Sequence, residues 1–153
     1  MATNRYLNIQ TTSNYEEFMF QSSGKSPLKK LVRFEELDKT ERIYNLVLCT
    51  ILGDGTEDCE SAAKNGDIDS VLDTVAHIAL IFTDHHPDRK IFFRGSDPIR
   101  TRKYQIRISN NVEEVMDYFD IDGLIIEDGV LLSRETFKKG KNYSGFIFSR
   151  KNH

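Results

Sequence analysis

Alternation of apolar and polar positions dominates the first third of the chain. Tyr6–Gln10 is a short alternating run. Glu17–Gln21 places Phe18 and Phe20 on one side before Ser22-Ser23-Gly24 breaks it. After Lys25-Ser26-Pro27, Leu31–Glu36 alternates again, with Val32 and Phe34 on one face. Period-two runs bounded by Gly, Pro and Ser are the signature of half-buried strands. Ile43–Leu52 is the most continuous apolar run, which suits a central strand covered on both faces. Together these segments predict an antiparallel meander.

Gly53–Gly66 is polar, carries three glycines and reads as a long loop with one helical turn near Ser61–Lys64. The pattern then becomes helical. Val71, Leu72, Val75, Ile78, Ala79 and Phe82 recur at helical spacing from Ile68 to about Asp84, with Asp67 or Asp69 as a cap and Pro87 closing the unit. Leu80 and Ile81 fall on the other side, so the second half of this helix is expected to be buried all round. Lys90–Arg94 reads as a strand. Ser96 or Asp97 then caps a helix with Pro98 at its first position, where a missing N–H costs nothing. Tyr104, Ile106 and Ile108 alternate as a strand would, but the cap and the proline favour a helix. Asn110, with Glu113 three residues on, has the form of a capping box for a helix over Asn111–Phe119, and Gly123 ends that unit. Leu124–Ile126 and Val130–Leu132 flank Glu127-Asp128-Gly129, a hairpin signal. Tyr143–Ser149 is the last strand. The expected fold is one α+β domain over residues 1–153, an antiparallel sheet of about five to seven strands packed by two or three helices.

At 153 residues the chain can bury roughly two thirds of its unfolded surface, so no disulfide or metal staple is required. No apolar run approaches the roughly 18 residues of a membrane span, and the start Met1-Ala-Thr-Asn-Arg-Tyr6 lacks the apolar core of a secretory leader. Cys49 sits in an apolar run and Cys59 in an acidic loop without flanking cations. Both are expected to be structural thiols, with the cytoplasm as the natural compartment.

The net charge of −3 hides an asymmetry. Arg89–Arg107 holds seven basic side chains and one acid, Asp97, whereas Gly53–Asp88 holds nine acids and one base, Lys64. Val112–Asp128 adds seven acids and no base, and the tail from Arg134 is basic again. One reading is that these blocks neutralise each other on the folded surface. The other is that the basic segment meets an anionic ligand.

The candidate anion site follows from that segment. A strand that runs into a helix start presents free N–H groups and a positive dipole end. There Gly95 allows close approach, Ser96 can donate, and Arg94 and Arg100 supply charge. Arg100, Tyr104 and Arg107 share one helix side at i, i+4, i+7, and guanidinium groups beside an aromatic suit phosphates and stacked bases. Arg102 and Lys103 complete the cationic set, although internal pairing and packing are the preferred reading for Arg102 and Tyr104. Ser96 and Asp97 have a sufficient role as helix caps. Asp84-His85-His86, with His77, lacks a second ligand cluster, and the acidic loop from Asp54 to Glu60 lacks the calcium-loop arrangement, so no metal or cofactor is expected. No catalytic residue is assigned, since no Ser/His/Asp or Cys/His set can be argued.

The stretch Phe93-Arg94-Gly95-Ser96-Asp97-Pro98-Ile99-Arg100-Thr101-Arg102-Lys103-Tyr104, followed by a short acidic helix and Asp122-Gly123, resembles an uncharacterised bacterial domain-of-unknown-function family. Its members carry Gly-Ser-x-x-x-Arg-Thr-Arg-x-Tyr and a late Asn-Tyr-x-x-Phe, here Asn142-Tyr143-Ser144-Gly145-Phe146. The resemblance covers most of the chain and implies no activity. Three functional expectations result. The first is a non-enzymatic cytoplasmic binding module for nucleic acid or a phosphorylated ligand, acting through Arg94–Arg107. The second is a small nuclease-like or toxin-like hydrolase. The third is a structural homo-oligomer whose acidic and basic blocks pair between subunits. None involves a membrane.

Overall fold

The computed structural model describes residues 5–60 and 65–151. Its strands are β1 (Gln10–Thr11), β2 (Glu17–Ser23), β3 (Pro27–Asp38), β4 (Ile43–Ile51), β5 (Glu57–Asp58), β6 (Lys90–Phe93), β7 (Phe119–Glu127), β8 (Val130–Thr136) and β9 (Gly145–Arg150). The helices are α1 (Ile68–His85), α2 (Pro98–Asn110) and α3 (Val112–Met116). They form an α+β fold with one sheet in the order β1-β2-β3-β4-β6-β9-β7-β8, and β5 pairs with β4. Nine strands exceed the five to seven expected from the pattern. The excess includes β5, two residues inside what reads as a loop.

Antiparallel pairing holds for β1 through β4, as the alternation predicts. It fails at one seam: β4 and β6 are parallel, with Ile43↔Lys90, Tyr44↔Ile91 and Asn45↔Phe92 in register. The 18 residues of α1 carry the chain about 27 Å back along the sheet, so the next strand restarts at the end where β4 began.

The main core lies between the sheet and α1. Phe18, Phe20, Val32, Phe34 and Leu46 from the strands meet Val71, Val75, Ile78 and Phe82 from the helix. Phe34 and Phe82 stack with ring centroids 3.8 Å apart. Each such side chain contributes roughly 1.5–3 kcal/mol of burial. A second cluster, with Val115, Phe119, Ile121, Phe137, Tyr143 and Phe146, lies under α3. Leu80 and Ile81 are only half-buried, so the second half of α1 is not covered all round.

Local expectations are met unevenly. Asp97 caps α2 as predicted, accepting the Arg100 N–H at 2.8 Å. The Asp128-Gly129 turn has φ of 51° and 75°, as a two-residue hairpin of this hand requires. Asp67 precedes α1 but does not cap it with its side chain; its carboxylate accepts from the hydroxyls of Tyr6 and Ser22 instead. Tyr6 is therefore tied to α1 rather than set in a strand, and of that run only Gln10 pairs, together with the following Thr11. The residue before α3 is Asn111, not Asn110, and its amide donates to the Arg107 carbonyl rather than closing a capping box. Gly123 lies inside β7, where a Cβ would fall 2.4 Å from the Tyr143 ring. The helical turn expected near Ser61–Lys64 lies outside the described residues.

The thiol expectation is overturned. Cys49 and Cys59 form a disulfide that ties the acidic loop to β4. The spacing gave no hint of it; the turn at Leu52–Thr56 and the β4–β5 pairing bring the two residues together. The pair also removes the argument for a reducing compartment that rested on free thiols. Among the described residues no helix is long and apolar enough to cross a membrane.

Candidate functional site

The parallel seam creates the site. β4 pairs with β6 through Ile43–Asn45 and with β5 through Thr50–Ile51, on the edge opposite β3. Between those ladders β4 and β6 part, and β6 turns away into α2. A cleft of about 510 Å³ opens there, with Leu46–Cys49 along its side. The cleft lies beyond the carboxyl end of β6 and beside the second half of β4, next to a common ligand position in sheets with helical crossovers.

Five cationic side chains line it: Lys25, Lys30, Arg94, Arg100 and Lys103. Asp58 and Asp67 line it as well, and the Asp67 carboxylate is held by Tyr6 and Ser22. Lys25, Arg94 and Lys103 are exposed, and among the described residues none of the three pairs with a carboxylate. Arg94 lies over the Phe92 ring at 5.8 Å. Lys30 is buried, 7% exposed, and its Nζ donates to Thr50 Oγ1 at 2.7 Å. Burial pushes its ammonium below the ordinary lysine range, against an opposing pull from Asp67 and Asp58.

The seven residues expected at the anion site divide. Arg94, Gly95, Ser96, Arg100 and Tyr104 all line the cleft. Gly95 has a packing role there. A Cβ would fall 2.5 Å from Arg100 Cβ and 2.6 Å from the Thr101 nitrogen, so its bareness lets α2 start tightly against the strand end. Its N–H donates to Thr101 Oγ1 at 3.0 Å, and the Arg100 N–H is taken by Asp97. Two amides of the expected backbone cradle are thus used internally. Ser96 Oγ donates to the Glu60 carbonyl at 2.8 Å, and Arg100 reaches the same carbonyl. Tyr104 stacks on Phe93 at 4.8 Å, and burial raises its phenol above the ordinary tyrosine range.

Arg102 and Arg107 lie elsewhere. Arg102 donates to Asn142 Oδ1 at 2.5 Å. Arg107 forms a two-pronged pair with Asp73 at 2.7 and 2.8 Å. The side chain of Asp73 is 3% exposed. Thus Arg100, Tyr104 and Arg107 do share a side of α2, but a buried acid on α1 captures the last of them. Gln105, buried one turn past Thr101, accepts the Tyr143 N–H at 3.0 Å. The two stretches that carry the family resemblance therefore meet in space, through Arg102–Asn142 and Gln105–Tyr143.

Two cleft lysines, Lys25 and Lys30, were missed by reading the chain segment by segment. Lys30 was detectable: it shares the parity of Val32 and Phe34 in the alternation of β3, so it points inward. Lys25 carried no such signal, whereas Lys103 belongs to the cationic segment itself. His85 and His86 are engaged by the Asn14-Tyr15 segment. His85 stacks on Tyr15 at 3.5 Å, and a ring nitrogen of His86 lies 2.8 Å from the Asn14 carbonyl oxygen. Among the described residues the one group spaced to hold a metal is Cys49, Glu57 and Cys59. Its sulfurs are bonded to each other and Glu57 is paired with Arg33 at 2.8 Å, so it does not fit a metal centre.

No curated protein and no solved structure matches this chain. A family model does match, over residues 2–151, so the chain belongs to DUF6934, a family of unknown function.

Proposed function

We propose that this protein is a binding module for a small phosphorylated ligand, held in the cleft between β4, β6 and α2. The observation that carries the reading is the convergence of five cationic side chains on one cleft of about 510 Å³, three of them without a carboxylate partner among the described residues. Phosphate oxygens are the natural complement of Arg94 and Lys103 at such a mouth. Arg100 and Ser96 contribute less directly, because both reach the Glu60 carbonyl.

A nucleic-acid partner is the weaker form of this reading. A backbone tracker needs a continuous basic stripe, and the α2 cations are divided between the cleft, Asn142 and Asp73. Pairing of acidic and basic blocks, the ground for a homo-oligomer, occurs within the chain at Arg107–Asp73, Arg150–Asp84 and Arg134–Asp122. A hydrolytic role for Tyr104 gains no support from a ring stacked on Phe93.

Titration with inorganic pyrophosphate tests the proposal. Calorimetry should show saturable, salt-sensitive binding that Arg94→Ala and Lys103→Ala each weaken several-fold and Arg102→Ala leaves intact. Absence of binding at low salt, or equal loss in Arg102→Ala, overturns it. Retention of RNA or DNA without pyrophosphate binding would favour the nucleic-acid form.

A further inference from the structure

We infer that Lys30 is a reactive amine that condenses with a carbonyl group of the ligand, so that the cleft takes phosphorylated aldehydes or ketones. This rests on the phosphate-binding reading and specifies its substrate class.

The placement of Lys30 is the starting point. It lies on the inward face of β3, in a cross-strand row with Phe20 on β2 and Thr50 on β4, and Thr50 in turn faces Asp58 on β5. Phe20 is core, so a structural side chain at the next place in that row would be apolar. A lysine there costs stability, because burying an ammonium without a counter-ion is unfavourable. Among the described residues no carboxylate lies within ion-pair distance of it. Among the described residues its three donors have one hydrogen-bond acceptor, the Thr50 hydroxyl at 2.7 Å. Four other cations share its cleft. Desolvation favours the neutral amine, the nucleophilic form, and outweighs the opposing pull of Asp67 and Asp58. The lowering of its pKa by burial agrees with that geometry.

The reaction is redox-neutral. The Nζ lone pair attacks the carbonyl carbon, the C=O π pair moves to oxygen, and one proton passes from nitrogen to that oxygen. The resulting carbinolamine takes up a proton on its hydroxyl and loses water as the nitrogen lone pair forms the C=N bond. The iminium then carries the charge that the ammonium would have carried. The Thr50 hydroxyl stands within hydrogen-bond reach of the nitrogen to pass a proton. Arg94 and Lys103 hold the phosphate end.

The full-length protein can be incubated with pyridoxal 5′-phosphate, reduced with sodium cyanoborohydride and mapped by peptide mass spectrometry. The expected result is a reduced adduct on Lys30 ahead of the exposed Lys25, Lys29 and Lys103, suppressed by excess pyrophosphate and weaker with unphosphorylated pyridoxal. Lys30→Arg, which keeps the positive charge, should lose that adduct while its thermal melt stays that of a folded protein, which separates loss of the amine from loss of the fold. Adducts confined to exposed lysines, in a protein that binds pyrophosphate normally, overturn the role of Lys30 and leave the binding reading standing. Labelling of Lys30 that pyrophosphate does not displace overturns the phosphorylated-carbonyl class. No pyrophosphate binding at all removes the reading on which this inference rests.

Discussion

Arg100 and Arg107 lie two turns apart on the same side of α2, and they do opposite things. Arg107 is locked by Asp73, an acid on α1 whose side chain is almost fully buried. Arg100 meets a backbone carbonyl at Glu60 and faces a cleft where other cations gather. Residue type and helix position do not distinguish them. What differs is the element opposite: α1 presents a desolvated carboxylate near the end of α2, whereas a splayed strand pair presents open space near its start. A cationic segment is therefore not a site as a whole. One end fastens two helices together, and the other end leaves charge available.

The strongest way to break this comparison is to cut the fastened end. Arg107→Ala strands Asp73 in the interior and should destabilise the fold by about 3 kcal/mol, read by urea denaturation. The double variant Arg107→Met with Asp73→Leu should recover most of that loss. A change under about 0.5 kcal/mol in Arg107→Ala would show a pair no stronger than a surface one.

Next in size is the tether at the open end. The Cys49–Cys59 bond closes a separation of 10 residues, and reducing it should lower stability by about 2–3 kcal/mol. Thermal melts with and without a dithiol reductant check this, and hydrogen exchange should report faster opening around Glu57–Glu60. The Gly95 position tests the tight helix start just before Arg100. Gly95→Ala forces a Cβ into the Arg100–Thr101 backbone and should cost about 1–3 kcal/mol. A neutral result would mean that α2 can back away from the strand end.

The smallest effects belong to the free charges. Arg94→Ala and Lys103→Ala should change stability by less than about 0.5 kcal/mol while weakening pyrophosphate binding, the reverse of Arg107→Ala. Lys30 has its own pH signature. Its folded-state pKa lies below the unfolded value near 10.4, so the folded state binds that proton less tightly. Its penalty is fully present below the folded pKa and gone above the unfolded one. Lys30→Met should therefore gain most over the wild type at neutral pH, and the gain should shrink as pH rises towards about 10. Denaturation at pH 7 and pH 10 gives the comparison, and an advantage that does not change with pH would contradict it.

Much of the fold was legible along the chain because it is local. The period-two runs of β2 and β3, the continuous apolar run of β4, the apolar stripe of α1, the Asp97-Pro98 helix start and the Asp128-Gly129 turn each follow from neighbours within a few residues. Half of the site was legible for the same reason: Arg94, Gly95, Ser96, Arg100 and Tyr104 lie in one strand–turn–helix unit. Lys25 and Lys30 come from β3 and the turn before it, some 70 residues away, and no local pattern links them to α2.

The sequence by itself determined the element types, the capped start of α2 and the concentration of positive charge around it, all set by side-chain periodicity and backbone chemistry over short range. The tertiary structure decided the rest. It set the parallel seam that opens the cleft, the disulfide across the acidic loop, the capture of Arg107 by Asp73 and the burial of Lys30 among other cations. Each of these depends on which element faces which. That is fixed by the packing of the whole apolar core, not by any single segment.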